Sequence, residues 1–160
     1  MKGKILAGMI AAFAILMLAD SSNAQRVRRE ARGRGMTKAQ VKAVINRVED
    51  RVDNFVKNYD KALDRSRLDG SSRENWLMNR ARDLESATDE LSREFDRRDA
   101  WVENKDEVRR CLNIASDIDR NMKSYRYGAA AEGNWDRVRY ELNTLADIYN
   151  LPRVGAAAYH

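Results

Sequence analysis

The sequence predicts an all-α protein, an antiparallel four-helix bundle made of two helical hairpins. Three observations carry that expectation. Apolar residues recur at steps of three and four from Thr37 to Tyr149, the period of one face of an α-helix and not of a strand. Glycine clusters and the single proline, Pro152, fall between those stripes or after them, where helices stop. Two Asn-Trp pairs, Asn75-Trp76 and Asn134-Trp135, each follow a glycine turn and lead into a helical stripe, a weak internal duplication of the kind two stacked hairpins produce.

Residues 1–24 read as a secretory signal peptide. Lys2 and Lys4 form a positive start, Ile5 to Ala19 an unbroken apolar or small run, and Asp20 to Ala24 a polar end with Ser22 and Ala24 before the cut. The 15-residue run spans roughly 22 Å as a helix, short of a ~30 Å hydrocarbon core. The expected location is therefore the periplasm or outside a bacterial cell, with an inner-membrane signal anchor as the alternative. Arg26, Arg28 and Arg29 keep that alternative open, because positive charge resists translocation.

Residues 25–36 form a basic arm. The chain carries 30 basic and 25 acidic residues. The arm alone holds Arg26, Arg28, Arg29, Arg32 and Arg34 against Glu30, whereas residues 37–160 hold 23 of each sign. The body is thus neutral, which speaks against a broad basic face for nucleic acid. With Val27 as its one large apolar residue before Met36, the arm has too little to bury and is expected to be flexible. It reads either as a linker or as an electrostatic tether to an anionic membrane surface or envelope polymer, where each charge is worth about 1 kcal/mol near anionic lipid.

The bundle domain is expected over 37–152. Its first stripe is Val41, Val44, Val48, Val52, Phe55, Tyr59 and Leu63, opened by a Thr37/Gln40 capping box and stopped at Gly70. The second is Leu77, Ala81, Leu84, Thr88, Leu91 and Phe95, with Ser71 and Glu74 as its cap. The third is Val108, Cys111, Ala115, Ile118, Met122 and Tyr125, with Asn104 and Glu107 as its cap. Residues 96–104 contain no Gly or Pro, so the second and third stripes fit either two helices or one kinked helix. The fourth, Trp135, Val138, Leu142, Leu145 and Tyr149, is expected to open at Gly133-Asn134 after a 128–133 linker. Such stripes are also those of coiled-coil packing. The tail, 153–160, has no periodic apolar face and is expected to fray. Leu151 to Gly155 has the outline of a sortase signal but lacks its threonine and apolar tail.

Chemistry-bearing residues are few. The single histidine is terminal, His160, and Cys111 is the single cysteine. This excludes an internal disulfide framework and Cys-rich zinc sites. Cys111 reads as a small buried apolar residue, with an intermolecular disulfide as the alternative. Neither a phosphate-binding glycine loop, a haem attachment motif nor a Glu-x-x-His di-iron pair is present. The carboxylates Glu49, Asp50, Asp53, Glu90 and Glu94 lie at helical spacing among Arg47, Arg51, Lys57, Arg93 and Arg97. Solvated salt-bridged faces explain them better than acid–base catalysis. No catalytic residue, metal ligand or cofactor is therefore expected. Trp76, Trp101 and Trp135 stand at helix starts and read as plugs for the bundle ends. Together with Tyr125 and Tyr127 they are also the candidate aromatic contacts for a ligand or partner.

Arg67-Leu68-Asp69-Gly70 and the run Leu142 to Tyr149, in this setting of leader, arm and hairpins, resemble uncharacterised exported helical-bundle proteins of bacteria. That resemblance implies the fold and an envelope location, and no activity. Met36 to Gln40 is similar to the Leu-Thr-x-x-Gln box of small periplasmic helical chaperones, with Met in place of Leu and a single copy. The expected function is a non-enzymatic structural or interaction role in the cell envelope, through a helix face or self-association. The alternative is a small periplasmic chaperone or stress adaptor.

Overall fold

A computed structural model describes residues 35–156. The leader, the five arm arginines and residues 157–160 lie outside the described residues. Four α-helices and one 3₁₀ turn occur there, and no strand.

The first helix, α1, spans Lys38–Leu63. Its start is the capping box the sequence predicts: Gln40 N–H donates to Thr37 Oγ1 at 3.2 Å, and Thr37 N–H donates to Gln40 Oε1 at 2.8 Å. Every residue of the first stripe is buried, and Ile45 widens it. The α2 helix spans Ser72–Arg97 after a turn in which Gly70 adopts φ +73°, a conformation costly for any residue with a Cβ. Ser71 Oγ accepts from Glu74 N–H at 3.1 Å. The Glu74 carboxylate does not return to Ser71, however. It accepts from Gly70 N–H at 2.6 Å.

Two helices, not one kinked helix, follow Ser72. Arg98 is extended, Trp101–Asn104 forms a 3₁₀ turn, and α3 spans Lys105–Ser124. Side chains hold this break. Arg98 pairs with Glu107 at 2.7 Å, its carbonyl accepts from Lys38 Nζ at 2.6 Å, and the Trp101 carbonyl accepts from Tyr149 Oη at 2.8 Å. Asn104 is buried, but it does not cap α3 with its side chain. Its amide donates to the Trp101 carbonyl instead.

The last helix, α4, spans Ala129–Tyr149, which corrects the expected start. Residues 129–133 are helix, not linker, because three alanines favour helix and Gly128 at φ +90° makes the turn before them. Asn134 is inside the helix and donates to the Ala130 carbonyl at 2.8 Å. Tyr125, expected at the end of the third stripe, lies just past α3 and is exposed.

The tail is corrected as well, as far as it is described. Asn150 takes a left-handed conformation at φ 52°, and Leu151 N–H closes the helix end on the Ala146 carbonyl at 2.8 Å. Arg153 then pairs with Asp147 at 2.6 Å, Val154 N–H donates to Asn143 Oδ1 at 2.8 Å, and Val154 is buried. These local anchors, which no periodicity announces, keep residues 153–156 on the body.

Helix α1 packs on α2 and α4, and α3 packs on α2 and α4, so the described residues form a helical bundle. An aromatic group fills one part of its core: Phe55 lies 4.9 Å from Tyr59 and 5.1 Å from Trp135, and Tyr59 lies 5.2 Å from Tyr127, between ring centres. No helix among the described residues is long and apolar enough to cross a membrane.

Candidate functional site

The five candidate aromatics separate into two groups. Trp101 and Trp135 behave as structural residues. Trp101 meets Tyr149 edge-on at 5.3 Å. Trp135 is 2% exposed and donates from Nε1 to Asp119 Oδ1 at 3.1 Å. Tyr127 is buried against Tyr59, and neither hydroxyl finds a well-aligned hydrogen-bond partner. Burial pushes both hydroxyls above the ordinary tyrosine range.

Trp76 and Tyr125 are different. They are 42% and 47% exposed, and with Tyr140 they are the large apolar side chains that face solvent among the described residues. Trp76 is therefore far less buried than Trp135, the tryptophan that fills the core. It occupies the first turns of α2, one step off the buried Leu77 stripe, so its ring projects outward. Arg73 lies between the two rings, its guanidinium carbon 4.9 Å from the Trp76 ring centre and 5.8 Å from that of Tyr125. Such contacts are worth about 0.5–1 kcal/mol at exposed sites. Arg73 also hydrogen-bonds through Nη2 to Asn121 Oδ1 of α3. The result is a ledge of two aromatics and a cation joining the start of α2 to the end of α3, with Tyr127 6.1 Å behind Tyr125.

The two Asn-Trp pairs are consequently not equivalent in space. Trp76 faces out beside Arg73, and Trp135 faces in against Phe55.

Two charged features lie on the segments that lead into α2 and α4. Carboxylate oxygens of Asp64, Asp69 and Glu74 lie within 4.8 Å of one another. This is a donor set for a hard cation, and one of the Glu74 oxygens is already used by Gly70 N–H. A cleft of about 370 Å³ between the end of α1 and the start of α4 is lined by Lys61, Arg65, Arg126 and Tyr127.

The carboxylates singled out for possible acid–base chemistry sit in ordinary surface pairs where partners are shown: Arg93 with Glu90 at 2.8 Å and Arg97 with Glu94 at 2.6 Å. Arg47 pairs with Glu141 across the α1–α4 seam at 3.2 Å. Glu85 is held above the ordinary carboxylate range by burial, then by the charges of Asp53 and Asp89. Cys111 is buried and free, and burial pushes its thiol up to about 12.

Sequence reasoning found Trp76 and Tyr125 but missed Arg73 and Asn121, which set the rings in place. The i, i+3 spacing of Arg73 and Trp76 was the available signal. It missed Asp119 too, which sits beside Ile118 on the buried flank of the third stripe. Comparisons with protein-family models, curated proteins and solved structures return no match.

Proposed function

We propose that this chain is an exported, non-enzymatic helical-bundle protein of the bacterial cell envelope that binds a partner through the Trp76–Arg73–Tyr125 ledge. The observation that carries this reading is the ledge itself. The other large aromatics of the described body are turned inward, apart from the solitary Tyr140 and the half-buried Trp101. Trp, Tyr and Arg are the residues that dominate binding energy at interfaces. Their contacts with Arg73 contribute only about 0.5–1 kcal/mol each at such exposed positions, so leaving two such rings facing solvent favours contact with another molecule.

The rest of the reading follows from sequence and packing. Residues 1–24 export the chain, and Arg26, Arg28, Arg29, Arg32 and Arg34 tether it electrostatically to an anionic surface. The four helices form two antiparallel hairpins. In support, Lys38 at the start of α1 reaches Arg98 at the end of α2, and Asp119 late in α3 meets Trp135 early in α4. The chaperone reading stays second, because it needs a concave apolar surface and the large apolar side chains exposed here are the two ledge rings and Tyr140.

Fractionation of producing cells tests the reading. Wild type is expected to stay with the envelope after a high-salt wash, which strips the arm's electrostatic attachment. The W76A/Y125A variant is expected to be released by the same wash. Equal retention of the two proteins removes the ledge from the function, and a wild type found in the cytoplasmic fraction removes the export.

A further inference from the structure

We infer that the cleft between the end of α1 and the start of α4 is a binding site for a phosphate-type oxyanion, recognised by Lys61, Arg65 and Arg126. Three cations converge on one concavity of about 370 Å³, and its lining contains no carboxylate. None of the three makes an ion pair among the described residues, whereas Arg80, Arg93, Arg97, Arg98 and Arg120 each pair with a carboxylate.

Nearby acids exist but are directed elsewhere. Asp64, adjacent to Arg65, is gathered with Asp69 and Glu74. Glu132, in the first turn of α4, accepts from Tyr127 N–H at 3.2 Å. Asp64, Asp69 and Glu74 thus gather in one group, while Lys61, Arg65 and Arg126 line the cleft. Like charges held together in this way repel, and an anion between them relieves that repulsion. Lys61 in the last turn of α1, Arg65 just past that end and Arg126 just past the end of α3 all lie near helix C-termini, which also favour cations.

The fourth wall supplies matching donors. Ala129, Ala130 and Ala131 line the cleft as the first turn of α4, and no side chain caps that turn. Its backbone N–H groups are therefore available to an anion, on the positive end of the helix dipole. Arginine forks add paired hydrogen bonds that fit the oxygens of a phosphate. The shared chemistry is a phosphate dianion or monoester, whether free or on a lipid headgroup.

The test is an amide-resolved NMR titration of the purified protein, arm included, with inorganic phosphate at constant ionic strength. Saturable shifts of the Ala129, Ala130 and Ala131 amides are expected. The R65A/R126A variant, both changes being at exposed loop positions, should weaken that response about tenfold or more, since charge-assisted hydrogen bonds to the anion are lost. A variant with the five arm arginines replaced should keep it. A parallel arm with vesicles containing phosphatidic acid separates the sources. With the five arm arginines replaced, since those alone would hold an anionic vesicle, loss of vesicle binding in R65A/R126A assigns a headgroup, and no vesicle binding by its parent assigns the free ion. Unmoved alanine amides, or equal shifts with chloride, overturn the inference. So does a response that follows the arm arginines and ignores Arg65 and Arg126.

Discussion

The Trp135 indole N–H and the Asp119 carboxylate meet at 3.1 Å inside the bundle, with both side chains at least 98% buried. Lys123 lies 2.6 Å from the other carboxylate oxygen, and Arg139 lies 3.4 Å from the same oxygen as Trp135. A buried charge is tolerated when it is paired and hydrogen-bonded. This one ties α3 to α4 and fixes the ring that packs on Phe55.

The node makes stability depend on acid. Burial alone raises the Asp119 carboxyl, but Lys123, the Trp135 N–H and Arg139 outweigh it and hold the group below its ordinary value. A carboxyl lowered in the folded state contributes stability that is complete above its unfolded value, about 4, and is lost as pH falls through the folded one. Asp119→Ala should cost about 2–3 kcal/mol at neutral pH, as a buried donor loses its partner. Asp119→Asn should flatten the acid limb of a denaturation series run between pH 6 and pH 2. An unchanged acid limb in that variant contradicts the assignment.

Gly155 closes over the same carboxylate. A Cβ there would stand 2.5 Å from Asp119 Oδ2 and 3.0 Å from Lys123 Nζ, and the residue has φ +75°. Gly155→Ala should therefore cost about 1–2 kcal/mol and loosen residues 153–156. Faster hydrogen exchange of the Val154 amide is the direct readout. Wild-type exchange at that amide would show that the segment does not need Gly155.

The helices were legible in the sequence because burial at a 3.6-residue period repeats over many residues. The Leu77 and Val41 stripes are buried to the last position. What was not legible depends on single contacts between distant residues. The break after Arg97 has no Gly or Pro to mark it and is held by Arg98 with Glu107 and by Tyr149 on the Trp101 carbonyl. The early start of α4 and the docked tail are likewise set by a positive-φ glycine and by Asn143 and Asp147, each a lone residue. For the site, residue type alone picked out five aromatics. Only the three-dimensional placement separates Trp76 and Tyr125 from the three that pack.

That separation predicts opposite effects for two tryptophans in similar local sequence. Trp135→Ala should destabilise by about 3–5 kcal/mol, the usual cost of emptying a buried large aromatic site. Trp76→Ala should fall within about 1 kcal/mol of wild type, since its ring lies outside and loses mainly Arg73. Urea denaturation of the two variants settles it, and comparable losses would contradict the inward and outward assignments.

Cys111 is expected to be inert in the folded protein. It is fully buried between α3 and its neighbours, and a thiol raised to about 12 supplies almost no thiolate at neutral pH. A thiol reagent should label it only as the protein unfolds, with a rate that follows denaturant. Fast labelling of native protein, or a disulfide-linked dimer on a non-reducing gel, would contradict this.

The central claim is that the ledge is where this protein meets another molecule. Placing a photo-crosslinking amino acid at position 76, and in a second protein at position 140, tests it most directly. Both positions are exposed, and Tyr140 has no part in the ledge. Irradiation of producing cells should give a discrete crosslinked product from position 76, lost when Tyr125→Ala is added, and none from position 140. The same products from both positions, or none from position 76, would contradict the account.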